Sequence, residues 1–127
     1  MHHNDITAAI IETSIDIHRS LGPGLLESVY RKILAYELKK RGFQVEEEQP
    51  IPVVWEDVRM ELGFRADLIV NGMVIVETRS VESVHPVHKK QLLTYLRLMD
   101  KRVGLLINFN VDLLKNGISR VVNDLQE

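Results

Sequence analysis

The sequence predicts a mixed α/β layered domain, and three observations carry that reading. Apolar residues recur at helical spacing in three separate stretches, Ile6 to Leu21, Leu26 to Leu38 and Pro86 to Met99. Short β-type runs separated by turn signals fill the segment from Phe43 to Arg79. Val103 to Phe109 is apolar without alternation, the mark of a strand covered on both faces. Helices and strands mixed along one short chain pack as layers around one core.

The first helix begins after Asn4-Asp5, either of which can cap it, and carries Ile6, Ile10, Ile17 and Leu21 with Thr13 between them. Gly22-Pro23-Gly24 breaks it, because proline lacks the donor and glycine permits turn dihedrals. The second helix presents Leu26, Val29, Tyr30, Ile33, Leu34 and Leu38 on one stripe. Lys39, Lys40 and Arg41 suit its C-terminal dipole, and Gly42 is a natural residue just past its end. Phe43 to Glu48 alternates apolar and polar, as a half-exposed strand does. Ile51 to Trp55 is expected as its neighbour across Gln49-Pro50, with Pro52 arguing for an edge. Glu56 to Arg59 reads as a loop tip.

Leu68 to Val70 and Met73 to Val76 flank Asn71-Gly72, a strong hairpin signal. They read as paired core strands, yet each is followed or preceded by charge: Asp67, Glu77 and Arg79. Strand side chains alternate with period two, so Glu77 and Arg79 share a face. Register decides whether Asp67 joins them. A two-residue turn pairs Val70 with Met73 and sets Asp67 opposite Val76; a three-residue loop, Asn71 to Met73, pairs Asp67 with Glu77 at roughly 5 Å between Cβ atoms. A divalent-metal site requires the second register. The alternative is a solvated charge ladder, which that register would burden with Arg65 opposite Arg79.

Ser80 to His85 is irregular, and Pro86 suits the first turn of a third helix with Leu92, Leu96 and Met99 on its stripe. Gln91 and Tyr95 form an i, i+4 pair on that helix, with His88 on the same face. After the apolar strand, Asn116-Gly117 suggests a closing hairpin between Leu113-Leu114 and Ile118 to Val122.

With 127 residues the chain reads as one domain, 1–127, able to remove about two thirds of its unfolded surface from water. A formal charge of -2 does not announce a nucleic-acid binder. The absence of cysteine excludes disulfides, thiolate metal sites and thiol nucleophiles. Asp5, Glu12 and Asp16 are incompatible with a secretory apolar segment, and no apolar run approaches a membrane span, so no membrane partner and a cytoplasmic location are expected. His2-His3 carry no weight in this reading. His18 is expected as a surface or satisfied core histidine. Lys89-Lys90, Arg97 and Lys101-Arg102 supply local positive charge of the kind soluble surfaces commonly carry. Glu27 heads the second helix, where the helix dipole alone favours an acid, and shares a face with Tyr30.

Gly24-Leu-Leu-Glu27-Ser-Val-Tyr30 resembles the G-x-x-E-x-x-Y signature of the GxxExxY proteins, a branch similar to the PD-(D/E)XK nucleases. The resemblance spans nearly the whole chain, through the Asp67 strand, Val74-Ile-Val-Glu77, Gln91-Leu-Leu-Thr-Tyr95 and Gly104-Leu-Leu-Ile-Asn-Phe109. The Gln91 and Tyr95 pair is similar to the Q-x-x-x-Y element of RecB-type nucleases. The resemblance implies a restriction-endonuclease-like fold with an αβββαβ core, a mixed sheet flanked by helices. It also implies a Mg2+-dependent phosphodiesterase, with Mn2+ as a substitute, acting on DNA or RNA; because one small near-neutral domain offers little phosphate-contacting surface, a homodimer or a subunit of a larger complex is expected. Glu27, Asp67, Glu77 and the Thr78 carbonyl would be metal ligands; Gln91 and Tyr95 would position the metal shell or phosphate.

One departure stands out. Where that pattern ends E-x-K, this chain has Glu77-Thr78-Arg79. Arginine keeps the positive charge but stays protonated to a pH above about 12, so it stabilises phosphate charge without acting as a base. Lys89 or Lys90 is a candidate to replace the missing amine. The competing reading is a nuclease-fold module that binds nucleic acid or a protein partner without cutting.

Overall fold

The computed structural model describes residues 1–125 and contains a five-stranded sheet in the order β1-β4-β5-β6-β7, with a separate two-stranded ribbon, β2-β3. In chain order the elements are α1 (His3–Leu21), α2 (Glu27–Lys40), β1 (Val45–Pro50), β2 (Val53–Trp55), β3 (Val58–Met60), β4 (Arg65–Val70), β5 (Val74–Arg79), α3 (Pro86–Leu98), β6 (Val103–Asn108) and β7 (Ile118–Val122). β1, β4 and β5 pair antiparallel, β5 and β6 pair parallel, and β7 returns antiparallel to β6. The parallel step needs a crossover, which α3 supplies. The αβββαβ order implied by the resemblance is present, with β2-β3 as an added ribbon.

Each sheet face is covered by a different helical layer. Ile6, Ile10 and Ile17 of α1 and Tyr30, Leu34 and Leu38 of α2 pack on Leu68, Val70, Val74, Val76, Leu105 and Ile107. Leu92, Tyr95 and Leu96 of α3 pack on Ile69, Ile75 and Leu106 of the opposite face. Every residue of β6 is buried, as its unbroken apolar run requires. α3 approaches closely because Gly104 carries no side chain: a Cβ there would lie 2.9 Å from Leu92 Cδ1.

Several elements depart from the sequence expectation. His2, given no weight, caps α1: its Nδ1 accepts from the Asn4 N–H at 3.0 Å, and the Asp5 carboxylate accepts from the His2 N–H at 3.0 Å. An imidazole nitrogen serves as acceptor as an Asn or Asp oxygen would, so the helix starts one residue before Asn4. The strand expected from Phe43 begins at Val45, because the Phe43 N–H still closes the end of α2 on the Leu38 carbonyl at 3.0 Å. Ile51 to Trp55 does not pair with β1. Its Val53 to Trp55 portion pairs with Val58 to Met60, so part of the expected loop tip is a strand. Pro52 has no N–H to donate, and Ile51 instead donates to the Phe64 carbonyl at 2.8 Å. The closing hairpin is also absent: Leu114–Gly117 is one 3-10 turn, and β7 pairs with β6. Gly117 lies so close to the Asn108 carbonyl that a Cβ would sit 2.2 Å from its oxygen, which makes the glycine a packing requirement.

Among the described residues no helix is long and apolar enough to cross a membrane.

Candidate active site

The β4-β5 turn sets the site's register. Asn71 and Gly72 both take left-handed dihedrals, with φ of 52° and 65°, as a primed turn demands. Met73 donates to the Val70 carbonyl at 3.0 Å, and pairing resumes only at Val70 with Val74. Met73 is thus the extra residue of a three-residue loop. The ladder continues through Ile69 with Ile75 and Leu68 with Val76, the register that sets Asp67 toward Glu77.

Beyond Leu68 and Val76 the carboxylates take over from the backbone carbonyls. The Asp67 N–H donates to Glu77 Oε2 at 2.8 Å, and the Thr78 N–H donates to Asp67 Oδ2 at 2.9 Å. The Thr78 hydroxyl adds a donor to the same Asp67 oxygen at 3.3 Å. Each carboxylate therefore terminates the β4-β5 ladder by satisfying a donor that the diverging strands would otherwise orphan. Glu77 is only 3% exposed, which contradicts the solvated charge ladder.

Arg79 folds back over this pair. Its Nη1 donates to the Thr78 carbonyl at 2.8 Å and lies 3.5 Å from Asp67 Oδ2, while Nη2 lies 4.0 Å from Glu77 Oε1. Glu77 and Arg79 do share a face, as period two requires. Arg65 avoids its namesake charge by donating outward to the Glu48 carbonyl at 3.3 Å. Burial, reinforced by the adjacent Asp67 carboxylate, pushes the Glu77 carboxyl up to about 8; the Asp67 amide and the Arg79 guanidinium pull it back in part. Near neutral pH the site therefore favours a proton or another cation on Glu77.

Tyr95 of α3 faces the same group. Its phenol is raised above the ordinary tyrosine value by burial, with Glu77 and Asp67 raising it further and Arg79 lowering it. Its ring lies 6.2 Å from that of Phe64, at the head of β4. Gln91, one turn earlier on α3, is half-buried.

Glu27 is the first residue of α2 and is exposed, yet its charge reaches Glu77 and contributes to the upward shift. The N-terminus of α2 is tied to the end of β5, because the Ser80 hydroxyl donates to the Leu25 carbonyl. Tyr30, its motif partner, turns inward instead. It is fully buried, stacks on Phe109 at 4.4 Å, donates to the Gly22 carbonyl at 2.6 Å and accepts from the Leu25 N–H at 3.2 Å. Tyr30 thus pins the glycine-proline loop that presents Glu27. Asn108 does similar work unannounced by any sequence signal: its side chain accepts from Val81 at 3.1 Å and donates back to the Val81 carbonyl at 2.9 Å, fixing the chain that leaves β5.

His18 is a satisfied core histidine, with Nε2 2.7 Å from the Val111 carbonyl. Lys89 and Lys90 are both exposed, Lys89 at the rim of a polar cleft with Glu82, Asn108, Asn116 and Ser119.

The oxygen donors suit a hard divalent cation in kind, since the half-buried Asp67 carboxylate and the buried Glu77 carboxyl lie side by side and each raises the need for a cation between them. Among the described residues no group of three His, Asp or Glu side chains is arranged to hold a metal ion, so Glu27 does not join the pair in this arrangement. The Thr78 carbonyl accepts from Arg79.

Comparison with curated proteins and with solved structures returned no match. A family model described as the PD-(D/E)XK nuclease superfamily matches residues 4–121, from the first turn of α1 to the penultimate residue of β7. That span contains the hairpin, both carboxylates and α3. With an αβββαβ core, a mixed sheet between helical layers and an acidic pair where β4 and β5 part, the chain belongs to the PD-(D/E)XK nuclease superfamily.

Proposed function

We propose that this protein is a metal-dependent nuclease of the GxxExxY branch that hydrolyses phosphodiester bonds of DNA or RNA, with residues 1–127 acting as one domain. The observation that carries the reading is the Asp67-Glu77 pair, a half-buried and a buried carboxyl hydrogen-bonded across the end of the β4-β5 ladder. Asp67 and Glu77 would hold Mg2+ or Mn2+, with Glu27 and the Thr78 carbonyl as further oxygen donors. Such an ion, when bound, supplies a water of lowered pKa and offsets charge on the phosphate.

The chain's own groups do the rest. The Arg79 guanidinium binds a phosphate oxygen; as an arginine it offers donors only and cannot take a proton from water. The Tyr95 hydroxyl, held protonated by its surroundings, donates to a phosphate oxygen, and Gln91 orients the same group from one turn away. A homodimer or a larger complex would supply phosphate-contacting surface that a chain of net charge -2 lacks. The absence of cysteine agrees with a reducing, cytoplasmic setting.

The hold of Arg79 on Asp67 favours a second reading, a nuclease-fold module that binds nucleic acid or a protein without cutting it. Single- and double-stranded DNA and RNA incubated with Mg2+ or Mn2+ separate the two. The nuclease reading expects cleavage abolished by chelation and reduced at least about a hundredfold by Asp67→Asn or Glu77→Gln. Salt-sensitive binding with no metal-dependent cleavage of any substrate would leave the module reading in its place.

A further inference from the structure

The guanidinium of Arg79 touches the oxygens that a divalent ion would need. Nη1 contacts the Thr78 carbonyl and Asp67 Oδ2 at 2.8 and 3.5 Å, and Nη2 approaches Glu77 Oε1 at 4.0 Å. These are three of the four groups that the nuclease reading assigns to the metal. The side chain is also enclosed, at 16% exposure, so it is packed into the site instead of reaching past it to solvent. A planar fork of donors fits such a site, because one guanidinium spans oxygens on two neighbouring strands, whereas an ammonium concentrates its charge at one point.

We propose that Arg79 is the resident cation of this site, standing where the divalent ion binds, so that metal is admitted only when Arg79 swings off Asp67 and Thr78. The inference rests on the nuclease reading for the identity of the ion. Two cations cannot share these oxygens at close range without strong repulsion. The E-x-R sequence is then more than a lost amine. It makes the metal site self-blocked, with metal affinity set by how readily the guanidinium leaves.

The test uses Mn2+ alone, with no nucleic acid. Mn2+ is titrated calorimetrically into the native protein, Arg79→Ala and Arg79→Gln, and thermal melting is followed with and without the ion. The expected result is that both variants bind one Mn2+ at least about tenfold more tightly than the native chain. Their melting temperatures should rise with Mn2+ more than the native one does. Adding Asp67→Asn to either variant should abolish the gain. If Arg79→Ala does not fold, Arg79→Gln carries the test, since it keeps most of the stem and an amide donor for the Thr78 carbonyl.

Equal Mn2+ affinity in native and variant proteins, no binding by any of them, or a gain that survives Asp67→Asn would each overturn the proposal. Cleavage reads separately. A native protein that cuts nucleic acid yet shows no gain on removing Arg79 overturns this inference and leaves the nuclease reading intact. Tighter Mn2+ binding without cleavage of any substrate does the reverse.

Discussion

Glu77 is held far from the behaviour of a free carboxyl. Its carboxyl is pushed from 4.5 to about 8 first by burial and then by Asp67. Between those values the folded protein holds a proton that the unfolded chain has released. Stability contributed by Glu77 is therefore fully present below 4.5 and is lost as pH rises through about 8, with a slope of at most about 1.4 kcal/mol per pH unit. Denaturant unfolding in metal-free buffer from about pH 5 to about pH 8 should show this decline, and Glu77→Gln should flatten it. A native profile no steeper than that of the variant would mean that Glu77 is ionised without penalty. Arg79 is the complementary case. Period-two alternation placed it on the face of Glu77, but nothing in its spacing indicated that it would fold back on Asp67 and the Thr78 carbonyl.

Among the elements, the G-x-x-E-x-x-Y stretch divides its work between two faces. Glu27 stays at the surface near the end of β5, while the Tyr30 hydroxyl closes the loop from Gly22 to Leu25. Tyr30→Phe keeps the stacking on Phe109 and removes both hydroxyl contacts, which should cost about 1–2 kcal/mol in thermal or denaturant unfolding. A loss below a few tenths would show that the loop is held by other contacts. Periodicity revealed the helices and the fully apolar β6 because burial imposes those patterns directly. It could not choose between turn lengths at Asn71-Gly72, since both registers leave apolar residues inside; the left-handed turn and the extra Met73 decided the matter. The misread stretches fail for local reasons. Val53 to Trp55 looks like any short strand, and its partner is set by the two-residue turn at Glu56-Asp57, with Glu56 at φ 54°. Asn116-Gly117 carries a hairpin signal, yet the glycine serves the close approach to Asn108.

Across the molecule, the sheet serves as a platform that ends in acid. Two helical layers cover its faces, and the strands part where Asp67 and Glu77 replace the ladder's carbonyls. The fold was legible in the sequence from periodicity and motif order, and the acidic pair only as one of the two registers that Asn71-Gly72 left open. The position of Arg79 against Asp67 was not legible, because it depends on a rotamer. Where the metal sits is decisive, and anomalous diffraction from crystals soaked in Mn2+ locates it. We expect a peak within about 2.3 Å of carboxylate oxygens of both Asp67 and Glu77, with the Arg79 guanidinium turned away from Asp67. A fully occupied Mn2+ bound elsewhere, with Arg79 still on Asp67 and Thr78, would refute both the acidic metal site and its displacement of Arg79.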